Sequence, residues 1–220
     1  MSVIHRNEVK RRLALKIDNP ESLVVTPLLQ EAKLFEESAD LDSIDLRLGS
    51  YFLLPQVPPV PFTYPSSSSR LSHIRVHVPL GNFLVVPAHE TVLGVTLEFI
   101  KLPCDLSGEI LTKSSVARTF MVIETAPWIH PSYRGCLTLE IANVSNTPLI
   151  LYPGRLIGQL ILMKLEDASK EEGLLSGSYL APTFPEAPSF REPQQDLFAI
   201  GISNVRLPGA RTPRKNDSTN

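Results

Sequence analysis

Proline placement constrains this chain more than any other feature. There are 20 prolines in 220 residues, and from residue 20 onward they recur at short intervals. Proline breaks a helix interior and cannot donate to a sheet ladder, but it is tolerated in turns and at strand ends. Long helices are therefore excluded, and short strands between turns remain. Period and composition place them at Asp45–Leu54, Arg75–Val78, Phe83–Val86, Thr91–Phe99, Gly108–Thr112, Phe120–Glu124, Cys136–Val144, Pro148–Tyr152 and Leu160–Leu165. Many short strands of this kind predict an all-β sandwich, barrel or jelly roll. One short helix is expected over residues 5–15, where Val9 and Leu13 are four apart among charged residues, and its basic cluster reads as a solvated face.

Hydrophobic residues make up 43 % of the chain, enough for a packed core. The segment from Pro55 to Ser69 reads as a surface loop, and beyond Glu166 the strand pattern fades into a proline-rich tail. The expected organisation is a domain over residues 1–166 and an extended, partly disordered arm or lid over 167–220. Lys plus Arg number 21 and Asp plus Glu 23, so the net charge of −2 gives no reason to expect a nucleic-acid or membrane-surface binder. Cys104 and Cys136 are too few for a disulfide scaffold or a cysteine-rich zinc site, and read as buried thiols. The apolar run from Leu149 to Met163 is broken by Pro153, Gly154 and Arg155, so it is not a membrane span. The basic N-terminus lacks a following apolar stretch and does not read as a secretory signal. A cytoplasmic protein is the expectation.

Three neighbouring stretches carry chemistry. Lys113-Ser114-Ser115-Val116-Ala117-Arg118 brackets two hydroxyls with two cations after a strand, a pattern that suits phosphate or a polarised carbonyl and is also found in ordinary capped turns. Thr125-Ala126-Pro127-Trp128-Ile129-His130-Pro131-Ser132-Tyr133-Arg134-Gly135 is a rigid connection in which His130 can bond a ligand or only water, and Trp128 reads as a packing residue. In Cys136-Leu137-Thr138-Leu139-Glu140-Ile141-Ala142-Asn143, alternation puts Leu137, Leu139 and Ile141 on one face and Thr138, Glu140 and Ala142 on the other. A carboxylate in so apolar a strand faces either a cavity, where partial burial suits it to general-base work, or the wet side of an edge strand. The H-x-E and P-C-x-x-C elements of zinc deaminases are missing, since Pro103-Cys104 has no second cysteine and His89-Glu90 has no intervening residue. A P-loop, a dinucleotide fingerprint and a nucleophile elbow are also missing.

Taken in order, these stretches resemble the dCTP deaminase family of the dUTPase-like superfamily. The resemblance rests on Ser43-Ile44-Asp45-Leu46-Arg47-Leu48-Gly49, the run from Gly94 to Pro103, Lys113 to Arg118, Thr125-Ala126, Gly135 to Glu140, and Pro153-Gly154-Arg155-Leu156-Ile157-Gly158-Gln159-Leu160. It implies a distorted β-barrel or jelly roll and a homotrimer with active sites between subunits. It also implies a hydrolase that converts dCTP to dUTP and ammonia without zinc, with Mg²⁺ riding on the triphosphate. By position, Glu140 would be the general base and proton shuttle, Ser114 would hold the water and the cytosine edge, and Arg118 would support charge there. Lys113, Ser115 and Gln159 would meet phosphate, and Thr125 and Ala126 the pyrimidine. His130 stands where the family carries an acidic residue near the sugar. Tyr179 matches the family's lid tyrosine, with Ser178 and Pro182 in place of its Lys and Gln. A bifunctional deaminase and dUTP diphosphatase, a non-catalytic nucleotide-binding or regulatory relative, and a purely structural trimer are the alternatives.

Overall fold

The computed structural model describes residues 2–28, 42–56, 72–124, 128–166 and 181–188. The expected loop over Pro55–Ser69 lies almost wholly outside them, as does most of the tail. The elements are β1 (Ser2–Val3), α1 (Arg6–Leu13), β2 (Val24–Thr26), β3 (Ser43–Arg47), β4 (Tyr51–Pro55), β5 (His73–His77), β6 (Leu84–Val86), β7 (Thr91–Lys101), β8 (Leu106–Thr112), the single turn α2 (Ser114–Ala117), β9 (Met121–Ile123), β10 (Trp128–Ile129), β11 (Arg134–Asn143), β12 (Leu149–Leu151) and β13 (Leu156–Lys164). Prolines stand where their missing N–H costs least: Pro55 closes β4, while Pro87, Pro103, Pro131 and Pro153 fall just beyond strand ends.

The all-β expectation holds. One five-stranded sheet runs β1-β13-β8-β10 with β3 also on β13. A six-stranded sheet runs β5-β4-β7-β11-β9 with β2 also on β7, and β12 with β6 forms a small ribbon. All named pairings are antiparallel. One core lies between them, built from alternate residues such as Ile44 and Leu46 of β3, Phe52 of β4, Leu139 and Ile141 of β11, and Leu160 and Leu162 of β13.

Two features depart from the sequence reading. Asp45–Leu54, expected as one strand, is two strands in different sheets. Gly49 sits at the break, where its N–H donates to the Val95 carbonyl (2.7 Å) and a Cβ would lie 2.9 Å from Val95 Cγ1. Only a residue without a side chain lets the chain cross β7 so closely. The helix α1 forms as expected, but its basic residues are not all solvated. Arg12 is 1 % exposed and grips Asp105 through both guanidinium ends (2.9 and 2.5 Å), Glu8 (2.8 Å) and the Glu21 carbonyl (3.2 Å). That network ties α1 to the turn between β7 and β8. The strands β1, β2 and β10 escaped the sequence reading because two or three residues carry no measurable period.

Removing one partner of a buried ion pair leaves the other uncompensated, at about 3–5 kcal/mol. Arg12→Ala is therefore expected to lower stability by about 3 kcal/mol in urea denaturation. Glu8, held down to about 2 chiefly by its bonds to Arg11 and then Arg12, stabilises the fold fully above its ordinary value. That contribution is lost as pH falls toward 2, and acid titration of wild type against Glu8→Gln will read it as a convergence of the two midpoints.

Candidate active site

Glu140 takes its position from the ladder on either side of it. The strand β11 pairs with β7 along most of its length and with β9 at its end, so it is a central strand there and not an edge. Leu137, Leu139 and Ile141 enter the core, while Thr138 and Glu140 project from the opposite face. Ala142 is buried as well. A register shift between Cys136 and Thr138 is bridged by Thr96, whose hydroxyl donates to the Glu98 carbonyl (2.8 Å) and accepts the Leu137 N–H (2.9 Å). The row across this outer face reads Arg75, Leu53, Leu93 and Glu140 through the pairs Leu53↔Arg75, Leu53↔Leu93 and Glu140↔Leu93. Glu124 ends the row, its N–H donating to the Glu140 carbonyl (2.8 Å). The floor between the charged ends is apolar.

The Glu140 side chain is exposed in the single chain, yet its carboxyl is pushed up, first by partial burial against this floor and second by the Glu124 charge. A carboxyl in that condition holds a proton more readily than an ordinary carboxylate, which suits it to general-base work. Beneath the same sheet lies an ion pair with no counterpart in the sequence reading. Glu98, 1 % exposed, accepts the Arg47 N–H (2.8 Å) and its guanidinium (3.3 Å). Burial dominates and raises its pKa despite Arg47, and burial with the Glu98 charge raises that of the Cys136 thiol. Cys136 is buried as expected, whereas Cys104 is only half-buried.

The second group lies on the other sheet. Lys113, at the end of β8, is anchored by its N–H to the Ile157 carbonyl (3.0 Å), and its ammonium pairs with Asp45 (2.5 Å). Gln159 stands directly opposite Asp45 in the β13–β3 register, so Lys113, Asp45 and Gln159 gather on one surface. Ser114, Ser115 and Arg118 are exposed on and just after α2, which packs beside β9. Among the described residues no hydrogen bond or ion pair joins Ser114 or Arg118 to Glu140. His130 is exposed in the turn after β10, its carbonyl accepting the Tyr133 N–H (3.2 Å). Trp128, expected to pack, is 37 % exposed, while its neighbour Ile129 enters the core. Thr125, Ala126 and Tyr179 lie outside the described residues.

Residues 181–188 return to this face. The Pro182 carbonyl accepts the Cys136 N–H (2.7 Å), the Glu186 N–H donates to the Thr138 hydroxyl (3.1 Å), and the Phe184 ring meets Tyr51 edge-on at 4.7 Å. Tyr51 in turn stacks on His77 at 4.7 Å. Gly135, at φ 145°, makes the approach possible, since a Cβ there would lie 2.5 Å from Pro182 Cδ. Sequence reasoning missed Asp45, Glu124, Glu98 and Glu186 as neighbours of functional groups. Asp45, Arg47 and Glu98 lay inside quoted motifs, but nothing local marks Glu124 or Glu186.

Among the described residues no helix is long and apolar enough to cross a membrane. A family model for dCTP deaminase-like proteins matches residues 6–165. A dCTP deaminase of Halorubrum lacusprofundi is 33 % identical over 151 residues, 67 % of this chain and 72 % of that protein. A dUMP-forming dCTP deaminase of Coprothermobacter proteolyticus is 33 % identical over 166 residues, 75 % of this chain and 86 % of that protein. Among solved structures, the 2′-deoxycytidine 5′-triphosphate deaminase of Agrobacterium tumefaciens aligns with a TM-score of 0.50 at 20 % identity, over 73 % of this chain and 48 % of that one. That last likeness is one of fold.

Two outcomes follow from the geometry. Because the pKa of Glu140 is raised on folding, its ionised form costs stability at neutral pH and its neutral form does not. Glu140→Gln is expected to raise the melting temperature at pH 7–8, with the gain vanishing below the ordinary carboxyl value, as read by thermal melts across pH. Gly135→Ala is expected to release residues 181–188, seen as faster proteolytic cleavage there with the sheets intact.

Proposed function

Because the chain belongs to the dCTP deaminase-like family, we propose that it hydrolyses the exocyclic amine of dCTP, giving dUTP and ammonia. The observation that carries this reading is Glu140, a carboxyl of raised pKa beside Glu124, projecting from a central strand onto an apolar floor. Water adds to C4 of the pyrimidine as Glu140 takes its proton. Glu140 passes that proton to N3, then takes the proton of the C4 hydroxyl and gives it to the amine, which leaves as ammonia as the C4 carbonyl forms. The chain lacks both elements by which zinc deaminases hold their metal, so the attacking water is activated by the carboxylate. Mg²⁺ enters with the substrate, on the triphosphate.

Ser114 and Arg118 supply the hydroxyl and guanidinium that stabilise the tetrahedral intermediate. Neither is bonded to Glu140 within one chain, and both stand exposed, which supports a site completed by another copy in a homotrimer. Lys113, Ser115 and Gln159 bind phosphate, and Thr125, Ala126, His130 and Tyr179 complete the nucleotide pocket. Residues 167–220 form an arm appended to the domain that ends near residue 166. The domain's own contribution to phosphate binding is supported by the Lys113, Asp45 and Gln159 grouping.

A second reading adds diphosphate cleavage of the nascent dUTP. It is favoured by the names of relatives: a dCTP deaminase, dUMP-forming, of Sulfurihydrogenibium is 36 % identical over 131 residues, and the Coprothermobacter protein bears the same name.

Incubation with dCTP, dUTP, CTP and dCMP in Mg²⁺ separates the readings. Ammonia with dUTP supports deamination alone, and ammonia with dUMP and diphosphate supports the bifunctional enzyme. Binding without ammonia would end both. Glu140→Gln is expected to keep dCTP binding while kcat falls by about 10²–10⁴, and full activity in that variant would remove Glu140 from its role. Glu124→Gln removes the like charge beside Glu140, so the acidic limb of the pH–rate profile is expected to move to lower pH.

A further inference from the structure

The small ribbon of β6 and β12 turns one side to the core and leaves the other uncovered. Val86 and Leu151 are buried, and Leu84 and Leu149 pack against the core, so the alternate residues face out. Those residues are apolar as well. Val85 stands directly across from Ile150, at 47 % and 51 % exposed, and the Phe83 and Tyr152 rings meet just beyond them with centroids 5.7 Å apart. Leu80, 66 % exposed, continues the surface, since a Cβ on Gly154 would lie 3.2 Å from its Cδ2. Single apolar residues at a surface are ordinary, but a contiguous group marks a face that something covers. Polar side chains at Val85 and Ile150 would leave the inner side of the ribbon unchanged, so the core does not account for them.

The chain carries a segment of matching character. Residues 189–220 lie outside the described part of the structure. Between Asp196 and Arg206 the sequence has an uncharged run without proline that begins Leu197-Phe198-Ala199-Ile200-Gly201-Ile202. Alternation along an extended backbone puts Phe198, Ile200 and Ile202 on one side. Reach favours this run over a separate partner. Phe184 rests against Tyr51, Tyr51 pairs with His77, and the next N–H, that of Val78, donates to the Ser50 carbonyl (2.8 Å). Leu80, at the near edge of the apolar face, is two residues further on, about 7 Å of extended chain. Residues 189–196 span up to about 26–29 Å when extended, enough to carry the run from that corner to the ribbon. Attachment through so short a connection raises its effective concentration to about the mM range, so a modest apolar contact suffices. We propose that residues 197–202 dock on the outer face of the β6–β12 ribbon, with Phe198, Ile200 and Ile202 against Phe83, Val85, Ile150 and Tyr152. The arm is then held at two places, at Tyr51 through Phe184 and at the ribbon through this run. Such docking is independent of the reaction at Glu140.

Hydroxyl-radical footprinting of the full chain reads the two exposed rings directly. Phe83 and Tyr152 are expected to be oxidised at least about threefold more slowly in the native chain than in the variant Phe198→Ser/Ile200→Ser/Ile202→Ser, as for a face covered at least about two-thirds of the time. Trp128, exposed on the five-stranded sheet, is expected to react equally in both and serves as the reference. In the reciprocal measurement, Val85→Ser with Ile150→Ser changes only exposed positions and is expected to speed tryptic cleavage after Arg191 and Arg206 by a similar factor. Ring protection below about threefold, or cleavage indifferent to the ribbon substitutions, would overturn the assignment. So would protection that disappears on dilution, which would make a second copy of the chain the occupant.

Discussion

The pairing of β7 with β11 is the constraint from which the rest follows. Antiparallel strands have a side-chain period of two, so once Leu137, Leu139 and Ile141 enter the core, Glu140 must face away. A one-residue slip would bring three large apolar side chains out and a carboxylate in. At about 1.5–3 kcal/mol for each apolar side chain, the slip costs about 4–9 kcal/mol before the charge is counted, comparable to the whole stability of a domain. The acidic group is thus held in place by core residues on the opposite face of its own strand. The Thr96 bridge at the register shift fixes the same strand from its other side.

Among the described residues, two buried ion pairs stand beside joints in the fold. Arg12 joins the N-terminal helix to the β7–β8 turn, and Glu98 joins β7 to β3 through Arg47. Such pairs stabilise a fold less than hydrophobic replacements of the same size, but they specify which elements meet. Both lie where the chain moves from one layer to another. Glu140 differs from them in lacking a cationic partner among the described residues and in facing Glu124, and its carboxyl is pushed up by partial burial and by that like charge.

The functional groups fall on two surfaces. Glu140, Thr138 and the returning segment occupy the outer face of the six-stranded sheet, whereas Lys113, Asp45 and Gln159 occupy the five-stranded sheet, with α2 and its two serines beside them. The proposed homotrimer would reconcile that separation, because each copy would present to its neighbour the surface that the neighbour's own site lacks. The ion pair with Asp45 gives the Lys113 ammonium a fixed position on that surface.

The strand pattern was legible because proline spacing and period-two alternation are local properties. The Glu140 face could be read from eight residues, and the ordered motifs placed Ser114, Arg118, Lys113 and Gln159 in one family. The break at Gly49, the burial of Arg12 and the pairing of Glu98 with Arg47 could not be read in this way, since each depends on residues about 46 to 93 positions apart meeting in space. The same holds for Glu186, which reads as one more acidic residue in a proline-rich tail until Gly135 admits Pro182 and the Thr138 hydroxyl takes its N–H. In the longer strands, such as β11, sequence alone determined which side chains face in and which face out, because alternation is set by the backbone. Only the tertiary structure decided which of the outward groups are neighbours, because that depends on register, on crossings between sheets and on where the arm comes to rest.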